Sequence, residues 1–498
     1  MWAPRPLEAG EMAVVEQNAI ALGVTIDSLM ENAGRAVAEE ATRHLPRPPA
    51  RVVVVASTGN NGGDGTCAAH YLLQWGYAVE VWIVRPPSEI RSQPARRCFE
   101  RIQRRCPIHV GVPEAEALAS APLILDALLG TGQAGTLRAP IREAVRAIQQ
   151  SGAPVLSIDL PTGCTDPAGL RPRWTVTFTV RKTEMDPATA GEVVLRDIGI
   201  PPDAWRRTGP GEFLFFPTPS ALGDRGRRGR LVVVGGGPYA GAPALAALAA
   251  LRSGAERATV LAPGAAAGAI QAFSPNLIVR AFGTERFRPT DVDELLAFVR
   301  DSRPSAVLLG MGAGAHPDTV SALRALLVAL VGTVPLAVDA DGLAALPSPA
   351  EMVEHSARPV LVATPNAGEF VRYFGGPERG SFEARATAAR TAAAQRHLLL
   401  VIKGSTDLIT DGESVFENRH HHVAMTVGGM GDVLGGVLAS LLAQGVGPTA
   451  AARLATRWVG EAGLRVSDRR GMGLVATDVL DELPAALVAG LARVRPPG

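Results

Sequence analysis

Lysine is almost missing from this chain: of its 49 basic residues only two, Lys182 and Lys403, are lysine. A sequence that writes arginine nearly everywhere keeps lysine where a compact, flexible ammonium matters. Asparagine is scarce too, seven in all, with two adjacent at Asn60 and Asn61. The four cysteines, Cys67, Cys98, Cys106 and Cys164, show no C-x-x-C spacing. That argues against a zinc site or a disulfide framework and suits a reducing compartment. Neither sign of charge dominates, 49 Lys+Arg against 48 Asp+Glu, so no global field argues for nucleic acid or an anionic membrane. The N-terminus lacks the basic-then-apolar order of a signal peptide. The uncharged window Val433 to Ala452 is broken by Gln444, Gly445 and Pro448, whereas a spanning helix needs ~20 mostly apolar residues. A soluble cytoplasmic protein is expected. Its 498 residues, 47% of them hydrophobic, allow several domains with full cores.

What is present centres on Met425 to Gly445, MTVGGMGDVLGGVLASLLAQG. Gly428, Gly429, Met430, Gly431 and Asp432 open it. Leu434, Val437, Leu438, Leu441 and Leu442 then follow at helical spacing, and Gly445 is a natural stop. Glycines at a helix start let backbone N–H groups converge on one point, where the helix dipole favours an anion. Asp432 in the first turn is placed to take a proton from a reacting group there. An ordinary N-cap is the other reading of a Gly-Asp helix start.

In chain order, residues 1–45 read as helices. RVVVVAS (Arg51 to Ser57) is a continuous apolar run of the buried parallel-strand kind, followed by the loop GNNGGDG and a helix carrying Ala68, Tyr71, Leu72 and Trp75. Strand, glycine loop, helix is an anion-cradling unit. AVEVWIV, PLILDALLG, PVLSIDLPTG and TVTFTV are further strands alternating with helices, so an open parallel sheet covered on both faces is expected. Its ligands would gather at the carboxyl ends of the strands. Three polar clusters fall on that edge: Asn60 to Asp64, Asp126 with GTGQAGT, and Asp159 with Pro161-Thr162-Gly163. Around Pro201 to Arg230 the texture turns to prolines, glycines and the run GDRGRRGR, which places a domain boundary near Gly211. A second strand–helix series follows: RLVVVGG, ATVLAP, NLIVRA, SAVLLGMGAGA, PLAVDADGL, PVLVATPNAGEF and LLLVIKGSTD. Its strands close on Gly235–Gly237, Gly310–Gly314, Asp339 and Asp341, Asn366 to Glu369, and Lys403 to Asp407.

Several motifs fail. No G-x-x-x-x-G-K-[ST] occurs, so Lys403 is not a P-loop lysine. GGGPYAG after RLVVV has no ribose-binding acid at the end of the next strand, which weakens a Rossmann dehydrogenase reading. Adjacent histidines point to different faces, so His420 to His422 read as a polar surface loop rather than a metal ligand set.

Both halves resemble known families. LMENAG, GNNGGDG, DALLGTG, DLPTG, TVTF with Lys182 just after, and DIGIP are similar to the NAD(P)H-hydrate epimerase domain, in that order. VVVGGGPYAGAPALAALAALRSGA, GMGAG, VDADGL, TPNAGEF, VIKGSTD and MTVGGMGDVLGG resemble the ADP-dependent NAD(P)H-hydrate dehydratase, a ribokinase-like domain. The resemblance spans nearly the whole chain. It implies two doubly wound three-layer α/β domains, residues 1–211 Rossmann-like and 212–498 ribokinase-like, that together repair hydrated NADH and NADPH. One would interconvert the R and S hydrates as an isomerase. The other would dehydrate the S form as a lyase, using ADP and releasing AMP and phosphate.

Carried onto this sequence, the resemblance implies that Asn60, Asn61, Gly62, Gly63, Asp64, Gly130, Thr131, Gly132, Gln133, Ala134, Gly135 and Thr136 hold the hydrate, with Asp159 at the reacting ring. Potassium would be bound by Asn61, Asp126 and Thr162, the last standing where Ser is usual. In the second half Ala242, Gly312, Asn366 and Asp432 would meet the hydrate, with Asp432 catalytic. Lys403, Gly404, Ser405, Thr406, Asp407 and Gly431 would bind the nucleotide, with magnesium accompanying ADP as phosphoryl donor. Small-molecule substrates are the partners expected, with a second copy of the chain and neither nucleic acid nor membrane. Asn366, Met430 and His420–His422 depart from the family's His, Thr and Thr-Gly-Asn. Asn366-x-x-Glu369 also resembles an element of ribokinase-like kinases, so a small-molecule kinase fused to a nucleotide-binding domain is the alternative. A half retained only as a structural module is a third reading.

Overall fold

The computed structural model describes residues 6–132, 135–217, 228–348, 351, 361–377 and 380–495. The chain divides into two compact units, Met1–Ala204 and Trp205–Gly498.

In the first unit seven strands form one parallel sheet: β1 (Arg51–Ala56), β2 (Ala78–Ile83), β3 (Ile108–Val110), β4 (Ile124–Ala127), β5 (Val155–Ile158), β6 (Trp174–Phe178) and β7 (Glu192–Arg196). The order is β3-β2-β1-β4-β5-β6-β7, so the chain reverses direction across the sheet between β1 and β4. This is the doubly wound, Rossmann-like arrangement, whose ligand crevice opens at that reversal. Val52 to Val55 are fully buried because both faces are covered. Val53 and Val55 pack with Ala144, Val145 and Ile148 of the helix Ile141–Ser151. Helices α1 (Ala9–Ala21), α2 (Ile26–His44) and α3 (Asn60–Gln74) precede and follow β1.

GNNGGDG is not a separate loop: α3 begins at Asn60 and takes the motif into its first turns. The glycines permit this because the helix start lies directly on the strand end. A Cβ on Gly62 would stand 1.9 Å from the Ser57 carbonyl oxygen.

The second unit has nine strands: β8 (Arg230–Val234), β9 (Arg257–Pro263), β10 (Ile278–Phe282), β11 (Ala306–Leu309), β12 (Leu336–Val338), β13 (Leu361–Ala363), β14 (Leu399–Ile402), β15 (Asp407–Thr410) and β16 (Val415–Asn418). The order is β10-β9-β8-β11-β12-β13-β14-β15-β16. β8 to β14 are parallel, and β15 and β16 pair antiparallel at one edge. Alternate residues serve opposite cores: Leu231 and Val233 join Val437 and Leu441, while Val232 and Val234 join Leu323 and Leu327. The anchor helix runs Met430–Ala443 and is buried continuously from Val433 onward. Gly445, at φ +84°, follows its C-terminus.

The second unit begins at Trp205, so the segment up to residue 217 folds with it. Glu212 in the turn Pro210–Phe215 is wholly buried against Arg453 of the helix Pro448–Arg470, with Oε1 2.8 Å from the guanidinium. An ion pair this dry fixes the segment to that helix.

Candidate active sites

In the first unit a cavity of about 680 Å³ opens at the carboxyl ends of β1, β4 and β5, with α1 as one wall. Asp159, the residue after β5, sits at φ +68°, a conformation Asp tolerates better than most side chains. Its Oδ2 accepts a hydrogen bond from the Thr131 N–H at 2.9 Å, and its Oδ1 lies 2.9 Å from the Lys182 ammonium. Lys182 is buried, and its Nζ also donates to Thr177 Oγ1 and the Phe178 carbonyl, each at 2.9 Å. Two further carboxylates face the cavity, Asp64 on α3 and Glu16 on α1. Burial, then Asp159 and Glu16, drives the Asp64 carboxyl well above the usual range. Burial, then Asp159, pushes Glu16 up to about 7 against the pull of Lys182.

Of the expected hydrate contacts, Asn60, Asn61, Asp64, Gly130, Thr131, Gly132 and Asp159 line this cavity. Gly62 and Gly63 do not: they pack on Ser57 and against Met30 and Ala95, which makes them backbone-approach residues. Gly135 and Thr136 are exposed away from it, and Gln133 and Ala134 lie outside the described residues. Asp126 is buried beneath the floor. It accepts hydrogen bonds from Thr162 Oγ1 at 2.7 Å, Thr162 N at 3.0 Å, Ser157 Oγ at 2.8 Å and Leu128 N at 3.3 Å. Among the described residues the buried Asn61 amide oxygen and nitrogen have no hydrogen-bond partner.

The cysteines hold one surprise. Cys67 and Cys98, on different helices, meet Glu31 with their ligand atoms all within 4.8 Å of one another. Glu31 is already bound by Arg101 at 2.7 Å and by the Tyr71 hydroxyl.

In the second unit a cavity of about 940 Å³ lies at the carboxyl ends of β12 and β14 and the start of the helix Met430–Ala443. Gly429, at φ +90°, caps that helix, so Asp432 is a first-turn residue and not its N-cap. Burial, then the Asp339 carboxylate, raises Asp432 to about 7, opposed by Lys403. Lys403 Nζ bridges both oxygens of Asp339, at 2.7 and 2.9 Å. A Cβ on Gly431 would stand 3.1 Å from that ammonium, so the helix start touches the ion pair.

Lys403, Gly404, Ser405, Asp407, Gly431, Asn366 and Asp432 line the cavity, whereas Thr406 does not. Asp407 closes its own loop by accepting from Gly404 N at 3.0 Å and Asn418 Nδ2 at 2.9 Å. Gly312 and Ala242 lie outside the lining and against one another: a Cβ on Gly312 would be 3.1 Å from that of Ala242. Asn366 and Glu369 form a reciprocal helix cap, Asn366 Oδ1 accepting from Glu369 N at 2.9 Å and Glu369 Oε2 from Asn366 N at 2.7 Å.

The histidines are not a plain surface loop. His420 binds Glu461 at 2.8 Å, and His421 and His422 stand on the cavity wall. Gly460 permits this, since a Cβ there would lie 1.7 Å from the His420 carbonyl oxygen. Glu16, the Lys182–Asp159 pair and the role of Asp339 were missed from sequence. Only the rarity of lysine pointed toward two of them.

A Rossmann-like unit and a ribokinase-like unit, each with an acid-bearing cleft at its strand ends, describe a two-site α/β enzyme. Residues 26–184 match the family described as YjeF-related protein N-terminus, and residues 231–485 the one described as NAD(P)H-hydrate dehydratase. The bifunctional NAD(P)H-hydrate repair enzyme of Hyperthermus butylicus is 36% identical over 495 residues, covering 96% of this chain and 91% of that one. Its counterpart from Archaeoglobus fulgidus is 35% identical over 490 residues, covering 97% and 98%. The solved ADP/ATP-dependent NAD(P)H-hydrate dehydratase of Bacillus subtilis, co-crystallized with ATP/Mg2+, shares the fold of the second half at 22% identity and a TM-score of 0.50. It covers 57% of this chain and 98% of that one. The chain belongs to the family of bifunctional NAD(P)H-hydrate repair enzymes. Among the described residues no helix is long and apolar enough to cross a membrane.

Proposed function

We propose that the first unit interconverts the R and S hydrates of NADH and NADPH, and that the second dehydrates the S form at the expense of ADP. The observation that carries the second half of this reading is Asp432 at the glycine-lined helix start, raised to about 7 and facing a cavity of about 940 Å³. A ring hydroxyl is a poor leaving group, and phosphorylation makes it a good one. Asp432, ionised at and above neutral pH, takes the hydroxyl proton while the backbone at Gly429 and Gly431 steadies the transferring phosphoryl group. Lys403, held by Asp339, and the Gly404–Asp407 loop stand on the same cavity wall and would receive the nucleotide phosphates. Ala242 and Gly312 would meet the distal part of the hydrate.

Magnesium would enter with the nucleotide. Asn366 and Glu369 are bound to each other as a helix cap, so phosphate oxygens and water would supply most of its shell. Potassium fits the first unit: among the described residues the buried Asn61 amide oxygen has no partner, and Asp126 is bonded only by neutral donors. Asn61, Asp126 and Thr162 offer an all-oxygen set that suits a hard cation. Bound there, potassium would fix the loop that carries Gly130 and Thr131.

The test is to incubate racemic hydrate with ADP or ATP and follow the absorbance of the reduced ring together with released phosphate. Recovery of the reduced ring with free phosphate supports the reading. A stable phosphorylated product with no reduced ring would establish the kinase alternative instead.

A further inference from the structure

We propose that Glu16, on the N-terminal helix α1, is a catalytic acid of the first site, working as a couple with Asp159. This rests on the epimerase reading above and names a residue that reading leaves without a task.

Among the described residues the cavity is lined by three carboxyl groups, Glu16, Asp64 and Asp159, and one ammonium, Lys182. Carboxylates gathered at a poorly solvated site cannot all ionise beside a single cation, so at least one keeps its proton near neutral pH. The structure separates their tasks. Asp159 is held as an acceptor by the Lys182 ammonium at 2.9 Å and the Thr131 N–H at 2.9 Å. Asp64 is driven well above the usual carboxylate range by burial, then by Asp159 and Glu16. Glu16 is raised only to about 7, by burial first and Asp159 second, and can both give and regain a proton under working conditions. Environments that push paired carboxyls apart in this way assign an acid and a base.

Glu16 is also positioned and not merely nearby. Ala9 N at the start of α1 donates to Glu184 Oε1 at 2.9 Å. Leu7 exchanges backbone hydrogen bonds with Arg181 and Thr183, at 3.0 and 2.9 Å, on either side of Lys182. Farther along α1, Asn18 Nδ2 donates to the Ala204 carbonyl at 3.1 Å. The segment that fixes Lys182 therefore fixes the helix that carries Glu16.

The chemistry needs one group of each kind. The hydrated ring carbon bears both the hydroxyl and the ring nitrogen. In the opening step Asp159 takes the hydroxyl proton and a carbon–oxygen double bond forms. The carbon–nitrogen bond breaks, its electron pair passes to nitrogen, and Glu16 supplies the proton that nitrogen then carries. Rotation of the open aldehyde and the reverse transfers close the ring with the carbon inverted. No atom, electron or proton is gained or lost over the cycle.

The experiment measures interconversion of separated epimers against pH for the full-length chain and for Glu16→Gln and Glu16→Asp. Asp64, Asp159 and Lys182 face Glu16, so each variant is read against the wild-type limb. The wild type should lose rate as pH rises through about 7, where Glu16 gives up its proton. Glu16→Gln should be ~100-fold slower with that limb gone, the typical worth of a general acid. Glu16→Asp should restore part of the rate and the limb, and it serves if the Gln variant does not fold. A Glu16→Gln enzyme near wild-type rate, or slower with an unchanged limb, overturns the inference and leaves the epimerase reading intact. A wild type that does not interconvert the epimers overturns the epimerase reading and Glu16's task with it.

Discussion

Lys182 Nζ lies 2.9 Å from Asp159 Oδ1 in the first unit, and the chain's other lysine stands in the same relation to a strand-end acid in the second, Lys403 Nζ lying 2.7 Å from Asp339 Oδ1. A sequence with 49 basic residues places its two lysines opposite the acids that close β5 and β12. An ammonium fits both points because each is narrow: Lys182 is almost fully buried, and Lys403 approaches within reach of the helix start at Gly431.

Lys182→Met should slow epimerisation ~100-fold or more, because Asp159 loses the ammonium that holds its carboxyl in place at the cavity. The same change leaves an unpaired carboxylate at 8% exposure, so the first unit should also lose several kcal/mol, about 3–5 for half a buried pair. Kinetics on each epimer and chemical denaturation check both parts. Dehydration of the S hydrate should be unaffected.

Lys403→Met should weaken nucleotide binding by roughly tenfold or more, the worth of one charge-assisted hydrogen bond. It should also raise the pH at which Asp432 ionises, since Lys403 is the group that pulls it down. The wild-type dehydration rate should rise with pH to a plateau above about 7, because the base acts when ionised. The variant's rise should come at higher pH. An unshifted profile with unchanged nucleotide affinity would show that Lys403 only neutralises Asp339.

Epimerisation should depend on potassium. Thr162→Ser keeps the hydroxyl and should retain the dependence, while Thr162→Val and Asp126→Ala should lose it. Thermal unfolding in potassium against a bulky organic cation gives a readout that does not rely on turnover. Indifference to the cation would mean that the unpartnered Asn61 amide is satisfied by water.

Much of the frame was legible because buried parallel strands are written as apolar runs that end in glycine or an acid. RVVVVAS, PVLSIDLPTG and RLVVVGG all became core strands, and Asp159, Asp339 and Asp432 were visible at their ends or at a helix start. β7 and β16 were missed because these half-exposed edge strands carry mixed residues without a continuous apolar run, and β15, though buried, is only the four residues Asp407–Thr410. The first turns of α3 were read as a loop, since glycines that let a helix lie on a strand look the same in sequence as glycines of a turn. Glu16 was invisible for another reason. Its neighbours are set by hydrogen bonds across 174 and 175 positions, from Leu7 to Arg181 and from Ala9 to Glu184, and no local pattern encodes such a contact.

Arg453→Met should destabilise the second unit by about 3–5 kcal/mol, because Glu212 would stay buried without its guanidinium. The double change with Glu212→Gln should recover part of the loss in denaturant unfolding. A cycle with no coupling would mean that the Trp205–Phe216 segment is held instead by its other contacts, among them the hydrogen bonds from Thr208 to Asn418 and from Arg495 to the Leu214 and Phe216 carbonyls.

The central claim is two chemistries in sequence, one at Asp159 and one at Asp432, and the repair of a freshly prepared racemic hydrate pool by single variants tests it most directly. Asp159→Asn should repair the S hydrate at the wild-type rate and leave the R hydrate behind, apart from slow spontaneous inversion. Asp432→Asn should recover almost no reduced cofactor, ~100-fold or more below wild type, while the two epimers still interconvert. If Asp159→Asn stops repair of both hydrates, or Asp432→Asn turns over near normally, the two-site account is contradicted.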